Sequence, residues 1–272
     1  MLYTPQQTAG FSTYRFRHLL ADQNDHVLTL TLNRPEKKNA LNPVLLNELA
    51  FALAYAQYEN DVWLVILAAS GDVFCAGMDL KSLSSEEETG QTVPPPSGPV
   101  RLGELLAGLH KPCIAKVPGP VYAGGFLLVG GSTYVVAADT ATFSLPEVKR
   151  GLFPFQVLAV LLDIMPARTA LDLCLRARTL SATEAQKIGL VTEIVSINEL
   201  DNAVQQLVNE LKQYSPTAMQ FGLRAYQQLK NLPPDQQQAF LYEQFQQIQQ
   251  TADAKEGLAA FLEKRVPRWG GK

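Results

Sequence analysis

Val121-Tyr122-Ala123-Gly124-Gly125-Phe126-Leu127-Leu128 places paired glycines directly before an apolar run, inside a longer stretch bounded by Pro118 and Pro154. Downstream come the strand-like Tyr134-Val135-Val136-Ala137-Ala138 and then Phe143-Ser144-Leu145-Pro146-Glu147, a lone carboxylate just after a proline. Glycines that open a helix let its backbone approach a ligand closely and leave unpaired N–H groups aimed at it. The positive pole of the helix dipole falls at the same place. An anion, or a carbonyl that becomes one, is stabilised there. The rest of the chain reads as walls around that spot.

Upstream, His26-Val27-Leu28-Thr29-Leu30-Thr31-Leu32 alternates with period two and predicts a strand. A polar connector, Asn33 to Leu41, carries Arg34, Lys37 and Lys38. Asn42 followed by Pro43 is an N-cap and first-turn pair that opens a helix to about Tyr58. Val62 to Ala68 is a nearly continuous apolar run, the mark of a buried parallel strand. Strand, helix and strand in this order predict a β-α-β crossover. Residues 1–13 read as a loose polar lead-in. Residues 84–99, with Ser84-Ser85-Glu86-Glu87-Glu88 and Pro94-Pro95-Pro96, read as a mobile surface loop beside a helix over Arg101 to Leu109. Cys113 to Val117 is a further short buried strand.

After Pro154 the pattern predicts helices over 157–165 and 168–178. A short helix follows, with Ser181 as N-cap and Glu184 completing a capping box, then a last strand over 190–195. From about residue 198 the chain turns Gln-rich and helical, with helices over roughly 199–213, 216–230, 234–250 and 254–264. The expected division is a core over 1–197 and a helical subdomain over 198–272. No internal repeat of fixed period is present.

Composition narrows the classes of function. The chain has 272 residues, 47% hydrophobic and 18% charged, enough for one large domain or two small ones. A net charge of −3 shows no basic excess and argues against a nucleic-acid partner. Cys75, Cys113 and Cys174 are too widely spaced for a metal-ligand pattern and suit a reducing compartment. No signal-peptide core and no bilayer-length apolar run occurs, so a cytoplasmic location without a membrane partner is expected. Neither a Walker-type P-loop nor a strand-linked dinucleotide fingerprint is present.

Three motifs spell a family. Phe74-Cys75-Ala76-Gly77-Met78-Asp79-Leu80, then Ala123-Gly124-Gly125, then Pro146-Glu147 with Gly151 four residues on, resemble the crotonase superfamily of enoyl-CoA hydratases and isomerases. Asn33-Arg34-Pro35, Lys38 to Leu41, Ala182 to Val191 and Glu256 to Arg265 match further signatures, so the resemblance spans nearly the whole chain. It implies an α/β fold, the ClpP-like crotonase spiral of β-β-α units with a helical C-terminal subdomain, assembled as a trimer or a dimer of trimers. It also implies an acyl-CoA substrate, with CoA entering as part of that substrate, no other tightly bound cofactor and no metal.

By the same resemblance the backbone N–H groups of Met78 and Gly124 form an oxyanion hole over the thioester carbonyl. Such donors are typically worth about 3–4 kcal/mol each. Glu147 alone would read as a solvated carboxylate at a strand end; in register with the family it is the catalytic base, its pKa raised by an apolar pocket. Arg34 and Lys38 sit on the connector that meets the CoA phosphates or adenine in relatives, or else form a solvated turn. Ala40, Ala76, Asp79 and Leu80 offer backbone contacts to CoA. Phe261 and Lys264 belong to the C-terminal signature, and Lys264 would reach the CoA of a neighbouring subunit. Phe155 and Gln156 are expected to line the acyl pocket, while His18, His26 and His110 fall in no motif.

The chain departs from the hydratases at one point. Three residues after Gly124, where they carry a second glutamate, stands Leu127. Leucine neither orients nor deprotonates water, whereas a single carboxylate suffices to shuttle a proton from C2 to C4. The favoured reading is therefore Δ3-Δ2 enoyl-CoA isomerisation. The alternatives are hydration or dehydration of a 2-enoyl-CoA, action on a branched, carboxylated or carrier-protein-bound enoyl group, and a non-catalytic CoA-binding protein.

Overall fold

The computed structural model describes residues 1–80 and 90–271. Strands β1 (Leu19–Asn24) and β2 (Val27–Leu32) form an antiparallel hairpin. Asp25 and His26 both adopt positive φ, +47° and +68°, which suits the right-handed twist of a two-residue turn. His26 thus belongs to the turn and not to the strand predicted from it. Helix α2 spans Pro43–Tyr58, with the Asn42 side chain accepting from the Leu45 N–H and Pro43 in the first turn. It buries Leu45, Leu49, Phe51 and Leu53 completely, and returns the chain to β3 (Leu64–Ala69), which pairs parallel with β2 from Val27↔Leu64 to Leu32↔Ala69. The predicted crossover is present.

The sheet then grows by parallel addition of β4 (Cys113–Val117), β6 (Tyr134–Ala138) and β9 (Glu193–Val195), in the order β1-β2-β3-β4-β6-β9. Helices α3 (Leu102–Ala107), α4 (Gly125–Gly131), α5 (Phe155–Leu162) and α6 (Ala167–Arg176) join α2 around the main core. Against the opposite face of the sheet, α8 (Leu200–Leu211) sets Leu200, Val204, Val208 and Leu211 on Trp63, Leu64, Ile114 and Val136. This helix covers the sheet, although it lies beyond residue 198. Helices α9 (Pro216–Leu229), α10 (Pro234–Ile248) and α11 (Ala252–Glu263) follow, and α10 has no buried residue.

A second, three-stranded sheet consists of β5 (Val121–Tyr122), β7 (Thr142–Ser144) and β8 (Thr179–Ser181). Strands β5 and β7 run parallel, with Val121↔Phe143 and Tyr122↔Ser144 in register. Their C-terminal ends therefore emerge side by side. One continues into α4 and the other into the turn that carries Glu147. After β8, the Ser181–Glu184 capping box opens α7 (Ala182–Lys187) as predicted.

Two stretches differ from the expectation of loose loops. The lead-in forms a short helix, α1 (Pro5–Thr8), and buries Tyr3 and Phe11. Phe11 stacks on Tyr55 at 4.0 Å, and Tyr3 meets the edge of Phe51 at 5.1 Å. Aromatic anchors outweigh the polar residues between them. Residues 84–89 of the expected mobile loop lie outside the described residues, but 90–99 are pinned. The Thr92 hydroxyl donates to the Glu48 carboxylate at 2.6 Å, the Tyr3 hydroxyl to the Pro94 carbonyl at 3.0 Å, and the Ser97 N–H to the Leu2 carbonyl at 3.1 Å. No described helix is long and apolar enough to cross a membrane.

Candidate active site

Two loops meet at the start of α4. The first, residues 74–80, is stitched on both sides. The Ala76 N–H donates to the Lys38 carbonyl at 2.9 Å, the Asp79 N–H to the Leu41 carbonyl at 2.9 Å, and the Leu41 N–H to the Gly77 carbonyl at 2.8 Å. On the other side the Tyr122 N–H donates to the Cys75 carbonyl at 2.8 Å. Between these ties Gly77 takes φ +87°. A Cβ there would lie 2.5 Å from the Ala123 Cβ and 3.0 Å from the Gly124 nitrogen. Only glycine allows the two backbones to come this close.

The close approach brings two donors together. A Cβ built on Gly124 would sit 3.5 Å from the Met78 nitrogen, so the Met78 and Gly124 N–H groups border one small space. Their neighbours are spoken for: Ala123 N–H donates to Ser144 O and Gly77 N–H to the Cys75 sulfur. Neither the Met78 nor the Gly124 N–H donates to any described residue. Paired unclaimed donors at a helix start form an anion-stabilising niche.

The niche opens on a cavity of about 490 Å³, walled by Ala76, Met78, Leu80, Gly124, Leu127, Glu147, Arg150 and the 152–157 segment. Its surroundings are apolar, with Leu46, Val100 and Leu102 opposite. Glu147 starts a 3-10 turn, Glu147–Arg150, that Gly151 closes with φ +72°. The Leu152 N–H donates to the Glu147 carbonyl at 3.1 Å and fixes the turn. Within the carboxylate, Oε2 is buried and has no hydrogen-bond partner. Burial raises its pKa above the ordinary carboxylate value, against smaller lowering effects from its own backbone and from Arg150. A partly desolvated carboxylate beside an unfilled donor pair has the character of a proton-transfer base. Leu127, 5% exposed, contributes an alkyl surface to the same wall.

The other expected site residues fall into distinct groups. Ala76, Leu80, Phe155 and Gln156 line the cavity together with Met78, Gly124 and Glu147. The Ala40, Ala76 and Asp79 N–H groups are consumed within the loops, which leaves carbonyls as the groups these residues can offer a ligand. Lys38 is exposed at φ +52° on the connector.

Arg34 turns inward. It is 5% exposed, and its Nη1 donates to Asp79 Oδ2 at 2.8 Å and to the Ala40 carbonyl at 3.0 Å. The guanidinium braces the connector against the 74–80 loop. Sequence alone could not show this, because Asp79 is 45 residues away. Phe261, 79% exposed, and Lys264, at a left-handed helix end, stand on α11 outside the cavity lining. Arg150 lines the cavity and was not singled out in the sequence. Its signal was a charge at the third position after Glu147, where a tight turn returns it to the same side.

Comparison with known proteins identifies the family. The Enoyl-CoA hydratase/isomerase family profile matches residues 22–272. Among curated proteins, the enoyl-CoA hydratase EchA19 of Mycobacterium tuberculosis is 32% identical over 253 residues, covering 92% of this chain and 95% of the relative. The carnitinyl-CoA dehydratase of Salmonella typhi is 31% identical over 258 residues, covering 92% and 97%. Among solved structures, an enoyl-CoA hydratase from Mycobacterium tuberculosis superposes with a TM-score of 0.84 at 32% identity over 94% of this chain and 99% of that one. One from Bacillus anthracis gives 0.83 at 26% identity over 94% and 100%. A fold shared along its whole length, with the glycine loops and Glu147 at one cavity, makes this chain a crotonase-fold member of the enoyl-CoA hydratase/isomerase family.

Proposed function

We propose that the protein isomerises 3-enoyl-CoA thioesters to the conjugated 2-enoyl form, with Glu147 as the single acid and base. One observation carries the reading: Glu147 is the only carboxylate among the described residues lining the cavity, and the wall position three residues after Gly124 is the buried Leu127. In the proposed reaction the Met78 and Gly124 N–H groups hold the thioester oxygen. Glu147 removes a proton from C2, the dienolate charge gathers on that oxygen, and the same carboxyl returns the proton to C4. Donors fixed before the charge develops stabilise the dienolate without reorganisation. A raised pKa suits Glu147 to both halves of the cycle, since it must take the proton and then give it back.

Hydration makes a further demand. A bound water needs about two to four polar partners to be held in place, and the Leu127 side chain supplies none. The names of the relatives support the second reading: they include hydratases and a dehydratase. A water held by Glu147 without a second carboxylate would serve that chemistry less well.

For the rest of the substrate we assign Lys38 and the loop carbonyls near Ala40, Ala76, Asp79 and Leu80 to CoA. Phe261 and Lys264 are assigned to the CoA of an adjoining subunit in a homotrimer or a dimer of trimers. Supporting this assembly, Leu258, Phe261, Leu262 and Val266 expose 62–83% of their surface, an apolar patch that a second copy would cover. The test is to supply a 3-enoyl-CoA and follow the conjugated thioester by its absorbance. Conjugation is expected from the wild type and not from Glu147→Gln; equal rates from both would refute the role of Glu147.

A further inference from the structure

We propose that Arg150 recognises a carboxylate on the acyl chain, so that the preferred substrates are enoyl thioesters of dicarboxylic acids. The proposal rests on reading the cavity as the acyl-thioester site. Glu147 and Arg150 are the only charged side chains among its described lining residues. They occupy the first and last positions of one 3-10 turn. Side chains three apart in such a turn eclipse one another, so both project to the same side. The turn is held by the Lys149 N–H to the Pro146 carbonyl at 3.1 Å, the Gly151 N–H to the Val148 carbonyl at 3.3 Å and the Leu152 N–H to the Glu147 carbonyl.

Elsewhere in the molecule Arg34, Arg101, Arg178 and Arg265 each meet a carboxylate. Arg150 makes no ion pair and no side-chain hydrogen bond with any described residue. Its charge is felt by Glu147, where it acts against the burial that raises that pKa. A cation serving only the base would hinder reprotonation at C4 by favouring the ionised carboxylate. The same cation is useful if a substrate brings its own negative charge into a largely apolar cavity, where it would be repelled by Glu147. A guanidinium also offers a planar fork of donors matched to a carboxylate.

The experiment needs binding and not turnover. The thioesters of the four-, five- and six-carbon diacids (succinyl-, glutaryl- and adipoyl-CoA) would be titrated calorimetrically against their monoacid partners (butanoyl-, pentanoyl- and hexanoyl-CoA). The proteins compared are the wild type, Arg150→Leu and Arg150→Lys. At one chain length at least, the wild type is expected to favour the diacid about tenfold, equivalent to about 1.4 kcal/mol. The preference should vanish in R150L, persist in part in R150K, and shrink as salt screens an exposed cation.

The proposal is overturned if monoacid and diacid thioesters bind equally at every length. It is also overturned if R150L weakens both alike, or if R150L moves the acid limb of the pH–rate profile without changing the diacid preference. If no thioester binds, the cavity reading falls along with it. A diacid preference that disappears in R150L, in a protein that does not isomerise 3-enoyl-CoA, would uphold this proposal and refute the isomerase reading alone.

Discussion

Replacing Gly77 with alanine tests whether the contact between the two loops builds the oxyanion niche. The new Cβ would sit 2.5 Å from the Ala123 Cβ, 3.0 Å from the Gly124 nitrogen and 3.1 Å from the Tyr122 carbonyl oxygen. Carbon atoms in contact normally lie about 3.5–4.0 Å apart, so the loops must separate by about 1 Å. All three obstacles are backbone or Cβ atoms, which no rotamer change can move aside. The left-handed φ of +87° adds about 1–2 kcal/mol of strain for a residue with a Cβ. Together these give a loss of about 2–4 kcal/mol, or about 4–7 °C in Tm for a chain of this size. A displacement of about 1 Å between the Met78 and Gly124 donors is expected to lower kcat about 100-fold. Differential scanning calorimetry and steady-state kinetics on one preparation read both effects. As a control, Gly222→Ala on exposed α9 meets nothing within 4 Å and is expected to raise stability by up to about 1 kcal/mol. A Gly77→Ala enzyme with kcat within threefold of wild type would show that the Gly77 contact does not set the donor geometry.

Glu147→Gln should separate activity from stability. Loss of the proposed base is expected to lower kcat about 1,000-fold or more. Because burial raises the folded-state pKa, the ionised carboxyl weakens the fold above the unfolded-state pKa. The neutral variant should therefore melt no lower than wild type at pH 7, and kcat/KM of the wild type should fall on acidification at a higher pH than an ordinary carboxylate would give. Arg34→Ala, by removing a buried guanidinium from Asp79, should cost about 3 kcal/mol in a denaturant titration. Lys38→Ala should leave stability within about 0.5 kcal/mol and raise KM instead. The opposite pattern would return Arg34 to the CoA phosphates.

At Asp253 burial opposes ionisation, but the Gly270 N–H, the Ser215 hydroxyl and Thr217 hold the pKa below its ordinary value. Its contribution is therefore present above the unfolded-state pKa and lost as pH falls through the folded one. Asp253→Asn is expected to lower Tm at neutral pH and to narrow its difference from wild type in acid.

How much of this could be read from the residues depended on the range of the forces involved. Helix α2 was legible because Asn42 and Pro43 specify its start locally, and Ser181 with Glu184 did the same for α7. Strands β4 and β6 were legible as short apolar runs. Strand β8, three residues long, carries too little pattern to register, and β7 shows only as the strand end before Glu147, yet the small sheet is what sets Glu147 beside α4. The role of Arg34 depends on a carboxylate distant in sequence, and the ordered lead-in depends on aromatic contacts with α2. Glu147, Met78 and Gly124 were legible through resemblance, because family loops keep their register. The cavity that joins them to Leu127 and Arg150 required the folded chain.

Product partition from a 3-enoyl-CoA distinguishes proton shuttling by Glu147 from water addition. The purified protein would be given the substrate in excess and the thioesters separated by mass. With Glu147 the one carboxylate among the described lining residues and Leu127 in the wall, the conjugated 2-enoyl-CoA is expected to accumulate without the heavier 3-hydroxyacyl-CoA that water addition would produce. Formation of the 3-hydroxyacyl product at a rate matching or exceeding conjugation would contradict the single-base account and establish hydration as the chemistry of this site.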